Sequence, residues 1–404
     1  VVDQESLEAL KDASFAHLHN HSQFSVLQST IAVGDLVTAA AKYNMPAVAM
    51  TDHGNMMGAF HFVSKVLAHN KEVQAKQQEA QEKGEEFNGQ IVKPIVGCEF
   101  FICEDRKDKS RKDNGYQVVF LAKNKEGYHN LAKMASIAYT EGFYYVPRID
   151  RSVVEQYKEN LIVLSGNLNG EVPSKVLNIG ENQAEEALIW WKEQFADDFY
   201  LELMRHGQEE EDRVNKTLID FARKYDAKLI ATNTTYYVNK ADAHAHDILL
   251  CVKDGEKLST PKGRGRGFRF GLPNQEYYFK SSEEMKKAFA DLPEAILNIQ
   301  EIVDKIEIYS LNRDVLLPKF DIPEEFLYAE DEEDGGKRGE NAFLRHLTYV
   351  GAQKRYKEID DAIRERLDFE LATIERTGYP GYFLIVQDFI AEARKMGVSV
   401  GPGR

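Results

Sequence analysis

Between Phe15 and Thr232 the chain repeats one pattern: a short apolar or alternating run, then apolar residues at helical spacing. The β-rich runs are 15–19, 47–51, 94–101, 117–122, 161–165, 199–204 and 228–232, and they predict strands. The helical partners include 33–43, 57–69, 127–139, 184–195 and 209–224. Strands that alternate with helices predict a parallel sheet. Seven such units in one domain predict a closed or nearly closed β/α barrel, with an open doubly wound sheet as the alternative. Residues 75–89 read as a polar helical extension and loop. After the seventh unit come an Arg/Gly loop at 262–269, helical segments at 282–289 and 294–305, and a linker at 323–339 with the acidic run 330–334, which is expected to be mobile. From 341 to 398 the pattern is mainly helical. Two domains are therefore expected, 1–280 and 281–404.

Composition narrows the classes. The 404 residues carry a formal net charge of −15, so most of the surface is not built to track a phosphate backbone. No apolar run reaches membrane-spanning length. The three cysteines, Cys98, Cys103 and Cys251, form no C-x-x-C pair, which points to a reducing, cytoplasmic setting.

The ends of the expected strands gather chemistry, and in barrels that is where active sites sit. The first ends in His17-Leu-His19-Asn-His21, where period-two alternation throws the three imidazoles to one side. The second runs into Thr51-Asp52-His53-Gly54, and the third carries Gly97-Cys98-Glu99. Imidazoles and carboxylates converging on one barrel mouth are the ligand types of a metal-dependent hydrolase. His206 would face the same mouth and is read as structural.

The motifs L-H-N-H-S, M-T-D-H-G-N and P-I-V-G-C-E resemble the first three motifs of the PHP (polymerase and histidinol phosphatase) family, in the version found in bacterial DNA polymerase III α. The similarity continues through 142–150, 164–169, 231–245 and 378–404. The resemblance implies a distorted (β/α)7 barrel followed by a mainly helical α+β segment that begins the polymerase palm. Carried over residue by residue, it places metal positions at His19, His21, His53 and Glu99. It also places them at Gln28, Gln117, Asn167, Thr234 and Tyr236, where amides, hydroxyls and a phenol replace better ligands. A full trinuclear site is therefore not expected, and neither is PHP metal or nuclease activity. A weak single site at His19, His21, His53 and Glu99 is the alternative, with residual phosphoesterase or 3′–5′ exonuclease activity.

Near the end, a β-prone 398–400 enters Gly401-Pro-Gly403-Arg404, a loop of the kind that offers amides and a cation to a phosphate. The resemblance makes it the start of the nucleotide pocket. The palm aspartates that would use Mg2+ are expected beyond residue 404, so the chain is expected to be an inactive front portion of a DNA-directed DNA polymerase. Implied partners are a proofreading exonuclease on the PHP domain, primer-template DNA and dNTP through the full-length protein, and other replisome subunits. The loop at 262–269 is read as a flexible interdomain connection, with nucleic-acid backbone as its alternative contact.

Overall fold

A computed structural model describes residues 8–316, 318–328 and 336–403. The first compact unit ends at Asn312 and the second begins at Arg313. In the first, the order is α1 (Val33–Lys42), β1 (Ala47–His53), α2 (Ala59–Lys83), β2 (Lys93–Ile102), β3 (Tyr116–Ala122), α3 (Lys125–Thr140), β4 (Arg148–Ile149), α4 (Arg151–Tyr157) and β5 (Leu161–Leu164). It continues with α5 (Glu171–Asn178), α6 (Glu181–Phe195), β6 (Phe199–Leu203), α7 (Glu209–Tyr225), β7 (Lys228–Ala231), α8 (Ala243–Asp254), α9 (Ser282–Ala288) and α10 (Pro293–Lys305).

The strands form one curled sheet in the order β1-β2-β3-β5-β6-β7, with β4 pairing to β2. It is mixed, not parallel. β3 runs antiparallel to both β2 and β5, while the other pairings are parallel. The reason is the connection after β2: residues 103–115 form a loop with no crossover helix, so the chain can only turn back beside the strand it left.

The segment expected as the first strand forms no ladder of its own, but it joins the two sheet edges. On one side Ala49 and Thr51 donate to the carbonyls of His17 (3.0 Å) and Asn20 (2.8 Å). On the other, His21 N–H donates to Thr235 O at 3.0 Å and Thr235 N–H to His19 O at 3.3 Å. Residues 17–21 thus lie between β1 and the extension of β7.

Strand interiors bury nearly every residue, as a sheet covered by helices requires. Helix α2 continues through the polar stretch to Lys83, where Gly84, with φ +67°, closes it in the left-handed conformation. Helices α9 and α10 pack within the barrel unit: Ile296, Ile299 and Ile302 belong to its core. The Arg/Gly loop also lies within the first unit, folded on itself. Gly263 N–H donates to Arg269 O at 3.1 Å, and Arg269 grips the Asp247 carboxylate at 2.9 and 2.8 Å.

The second unit contains α11 (Lys337–Arg355), α12 (Asp361–Thr377) and α13 (Pro380–Lys395) around Leu344, Leu371 and Leu384. The β-prone 398–400 forms no strand; Val398 N–H instead bonds back to Ala393 O, closing α13. Gly401 and Gly403 are exposed, and Arg404 lies outside the described residues, as does the acidic run 330–334. Among the described residues no helix is long and apolar enough to cross a membrane.

Candidate metal centre

His19 and His21 stand on the segment that bridges the sheet edges, His53 ends β1, and Glu99 lies in β2 directly opposite His53 in the parallel ladder. All are buried. Their ring nitrogens converge on one carboxylate oxygen, Glu99 Oε2: His19 Nε2 at 3.2 Å, His53 Nδ1 at 3.4 Å and His21 Nε2 in closer contact. His21 and His53 stack with ring centroids 4.2 Å apart. Among the described residues, His19, His21 and Glu99 are grouped tightly enough to share a metal ion.

The outer nitrogens decide what the inner ones can do. His19 Nδ1 lies 2.8 Å from Glu202 Oε1, and His21 Nδ1 lies 3.2 Å from the Thr235 carbonyl. Both partners only accept hydrogen bonds, so each Nδ1 carries the proton. In the neutral rings both Nε2 lone pairs then face Glu99, itself an acceptor. Three electron-rich atoms around one point need a positive charge among them, either a metal ion or added protons. Among the described residues Glu99 Oε1 is buried with no hydrogen-bond partner, which fits a site for a cation.

Among the described residues, Gln28, Gln117, Asn167 and Thr234 make no hydrogen bond to this corner. Gln28 offers its backbone carbonyl to His246 Nε2 at 2.7 Å. Gln117 donates its backbone N–H to Asn169 O, and Asn167 turns its side chain onto Asn169 N–H at 2.9 Å. Thr234 Oγ1 points at Met204 Sδ, 3.2 Å away. Tyr236 alone reaches the cluster, stacking on His21 with its hydroxyl 3.2 Å from His53 Nε2. His206 is held by Glu211 through Nδ1 at 2.6 Å, away from Glu99.

Two carboxylates escaped the reading of the sequence. Glu202, mid-strand in an apolar run, carries its own signal: an acid in a buried strand must have partners. Asp52 lies inside a quoted motif, yet it accepts from Ser22 N–H and the hydroxyls of Ser22 and Ser25, fixing the turn after His21 instead of meeting a metal.

The PHP domain family model matches residues 17–206, and the model described as bacterial DNA polymerase III alpha NTPase domain matches 342–404. The chain is 38% identical over 395 residues to the DNA polymerase III subunit alpha of Borreliella burgdorferi, covering 96% of this chain and 31% of that protein. With the subunit from Treponema pallidum the identity is 36%, over 97% of this chain and 31% of the relative. The chain belongs to the bacterial DNA polymerase III α family. It spans about 31% of the length of these relatives. A solved amidohydrolase from Chromobacterium violaceum aligns at a TM-score of 0.34 and 9% identity, over 55% of this chain and 88% of that one.

The corner of His19, His21 and Glu99 fits a divalent ion; Gln117, Asn167 and Thr234 supply only weak amide or hydroxyl donors, and those of Asn167 and Thr234 are hydrogen-bonded elsewhere. Burial pulls the His19 pKa down, but the carboxylates of Glu202 and Glu99 outweigh it and push it up to about 10. Burial works to raise Glu99, yet the imidazoles of His53, His19 and His21 hold it well below the ordinary carboxylate value. Burial, then the neighbouring His21, lowers His53 to about 3.

Proposed function

We propose that this chain serves as the front portion of a replicative DNA-directed DNA polymerase, and that its PHP barrel is a brace and docking face without nuclease activity of its own. The observation that carries the reading is the incomplete ligand set. His19, His21 and Glu99, with His53 beside them, make one cation corner, while Gln117, Asn167 and Thr234 offer only amide or hydroxyl oxygens, and Asn167 and Thr234 are bonded to other partners. Phosphodiester hydrolysis of this type relies on more than one ion, to activate water and to clamp both the attacking and leaving oxygens. A single ion held by His19, His21 and Glu99 would supply one Lewis acid. The chain's own contribution is to orient both imidazoles, through Glu202 and Thr235 O, and to cover the corner with the Tyr236 ring.

A barrel that does not excise mismatches needs that activity in trans, which supports a separate proofreading exonuclease docking on this domain. Primer-template DNA, dNTP and the other replisome subunits would be engaged by the full-length protein in the cytoplasm, with Mg2+ at its palm. The test is direct. This chain, with Mg2+, Mn2+ or Zn2+, is expected to leave a 3′-mismatched primer intact and to add no nucleotide, while the full-length protein extends it. Metal-dependent excision that disappears in His53→Ala would refute the non-catalytic barrel.

A further inference from the structure

Glu202 has no place in the family motifs that locate the corner, and its contacts are unusually complete for a buried acid. Its Oε1 accepts from His19 Nδ1 at 2.8 Å and from Thr232 Oγ1 at 2.9 Å, and its Oε2 accepts from Gly166 N–H at 2.6 Å. It is 2% exposed and has no Lys or Arg counter-ion within bridging distance among the described residues. Gly166 is itself fixed: its φ is +87°, and a Cβ there would meet Gln117 O at 2.4 Å. The backbone amide facing Oε2 therefore cannot turn away.

We infer that Glu202 is a positioning residue for the cation corner: it holds the His19 proton on Nδ1 and so presents the Nε2 lone pair to an ion shared with His21 and Glu99. The inference rests on the single-ion reading proposed above. Outer partners of this kind set both the tautomer and the basicity of a ligating imidazole. Thr235 O does the same for His21, but a backbone carbonyl cannot be removed by substitution, whereas Glu202 can be changed by one atom.

The geometry dictates what Glu202→Gln does. Gly166 N–H needs an acceptor, so the amide oxygen takes the place of Oε2. The NH2 group then faces His19 Nδ1 and donates to it, and the Thr232 hydroxyl rotates to accept from the same group. His19 is forced to carry its proton on Nε2, pointing at the ion. The shape is conserved while the lone pair is lost.

The test measures Zn2+ affinity of the whole 404-residue chain by competition with a chromophoric chelator, alongside the metal-free thermal midpoint. Glu202→Gln is expected to weaken Zn2+ by roughly 10- to 100-fold and, because its carboxylate also pairs with the buried His19, to lower the metal-free midpoint. Glu211→Gln, which loosens the separate His206 pair, is expected to lower the midpoint and leave Zn2+ affinity intact. Parent-like affinity in Glu202→Gln, or a loss matched by Glu211→Gln, overturns the positioning role alone. A parent that does not compete for Zn2+ at all overturns the single-ion reading and this inference with it.

Discussion

His17 opens the row of imidazoles but does not join the other two. Its Nε2 donates to Lys280 O at 2.7 Å, and its ring packs against Phe15 and Phe279 with centroids 4.9 and 4.4 Å away. Burial is the main cause that lowers its pKa to about 4. The folded value lies below the unfolded one near 6.5, so the contribution of His17 is complete above pH 6.5 and is lost as pH falls from 6.5 towards 4. The loss is on the order of 3 kcal/mol, since each tenfold change in proton affinity is worth about 1.4 kcal/mol. His17→Gln keeps a donor for Lys280 O and removes the titration, so denaturant midpoints between pH 7.5 and 4.5 should fall less steeply than in the parent. Parallel pH profiles would place the acid sensitivity elsewhere. Strict alternation put three imidazoles on one side, and two arrived, because 15–21 is held by scattered bridges and not by a regular ladder. The corner itself was legible, since His19, His21, His53 and Glu99 sit in compact motifs. Glu202 was not, because its partners His19, Thr232 and Gly166 come from three distant stretches of chain.

At the scale of elements, the pattern showed six of the seven named strands but not the direction of β3, for a physical reason. A period of two reads identically in a parallel and an antiparallel strand; only the connection distinguishes them, and 103–115 lacks helical spacing. What organises that loop is Arg148 of β4, a strand of two residues too short to show in any pattern. Its buried guanidinium donates to the carbonyls of Gly142 (2.9 Å) and of Asp113, Arg106 and Asp108 (each 3.0 Å). A lysine keeps the charge but cannot spread donors in a planar fork. Arg148→Lys should therefore leave two or more of these carbonyls unpaired and cost roughly 2–4 kcal/mol. Amide exchange should accelerate across 104–114 before the rest of the sheet responds, and unchanged exchange there would show that the loop is held by other means. Similarly, Asp247→Asn removes the charge that Arg269 and Lys262 share, at 2.8 and 3.2 Å. Exchange at 261–270 should rise, while protection of β1 to β7 stays as it was.

At the scale of the whole molecule, the question is where one core ends. Composition shifts near 280 place a boundary there, because the Arg/Gly loop looks like a connector and the helices after it look alike. Packing places it later. Ile296, Ile299, Ile302 and Val303 of α10 are buried in the barrel core, Asn298 caps Leu229 O at 2.9 Å, and Lys228 pairs with Glu301 at 2.6 Å. Lys93 reaches from the start of β2 to the carbonyls of Val303 and Ile306, both at 2.6 Å. None of these links is visible in a sequence window, since each joins residues tens to hundreds of positions apart. A chain cut after Lys280 loses all of them and bares the face of β7 that α10 covers. At about 2–5 kcal/mol for each of these aliphatic side chains removed, the loss is comparable to the roughly 5–15 kcal/mol that holds a typical domain together. A chain cut after Asn312 loses nothing that the barrel core contains. The shorter piece is expected to aggregate or to melt without a cooperative transition. The longer one should retain a single sharp transition and, because His19, His21, Glu99 and Glu202 all lie before the cut, the same Zn2+ affinity as the whole chain. A cooperative, zinc-competent piece ending at Lys280 would instead put the boundary near residue 280.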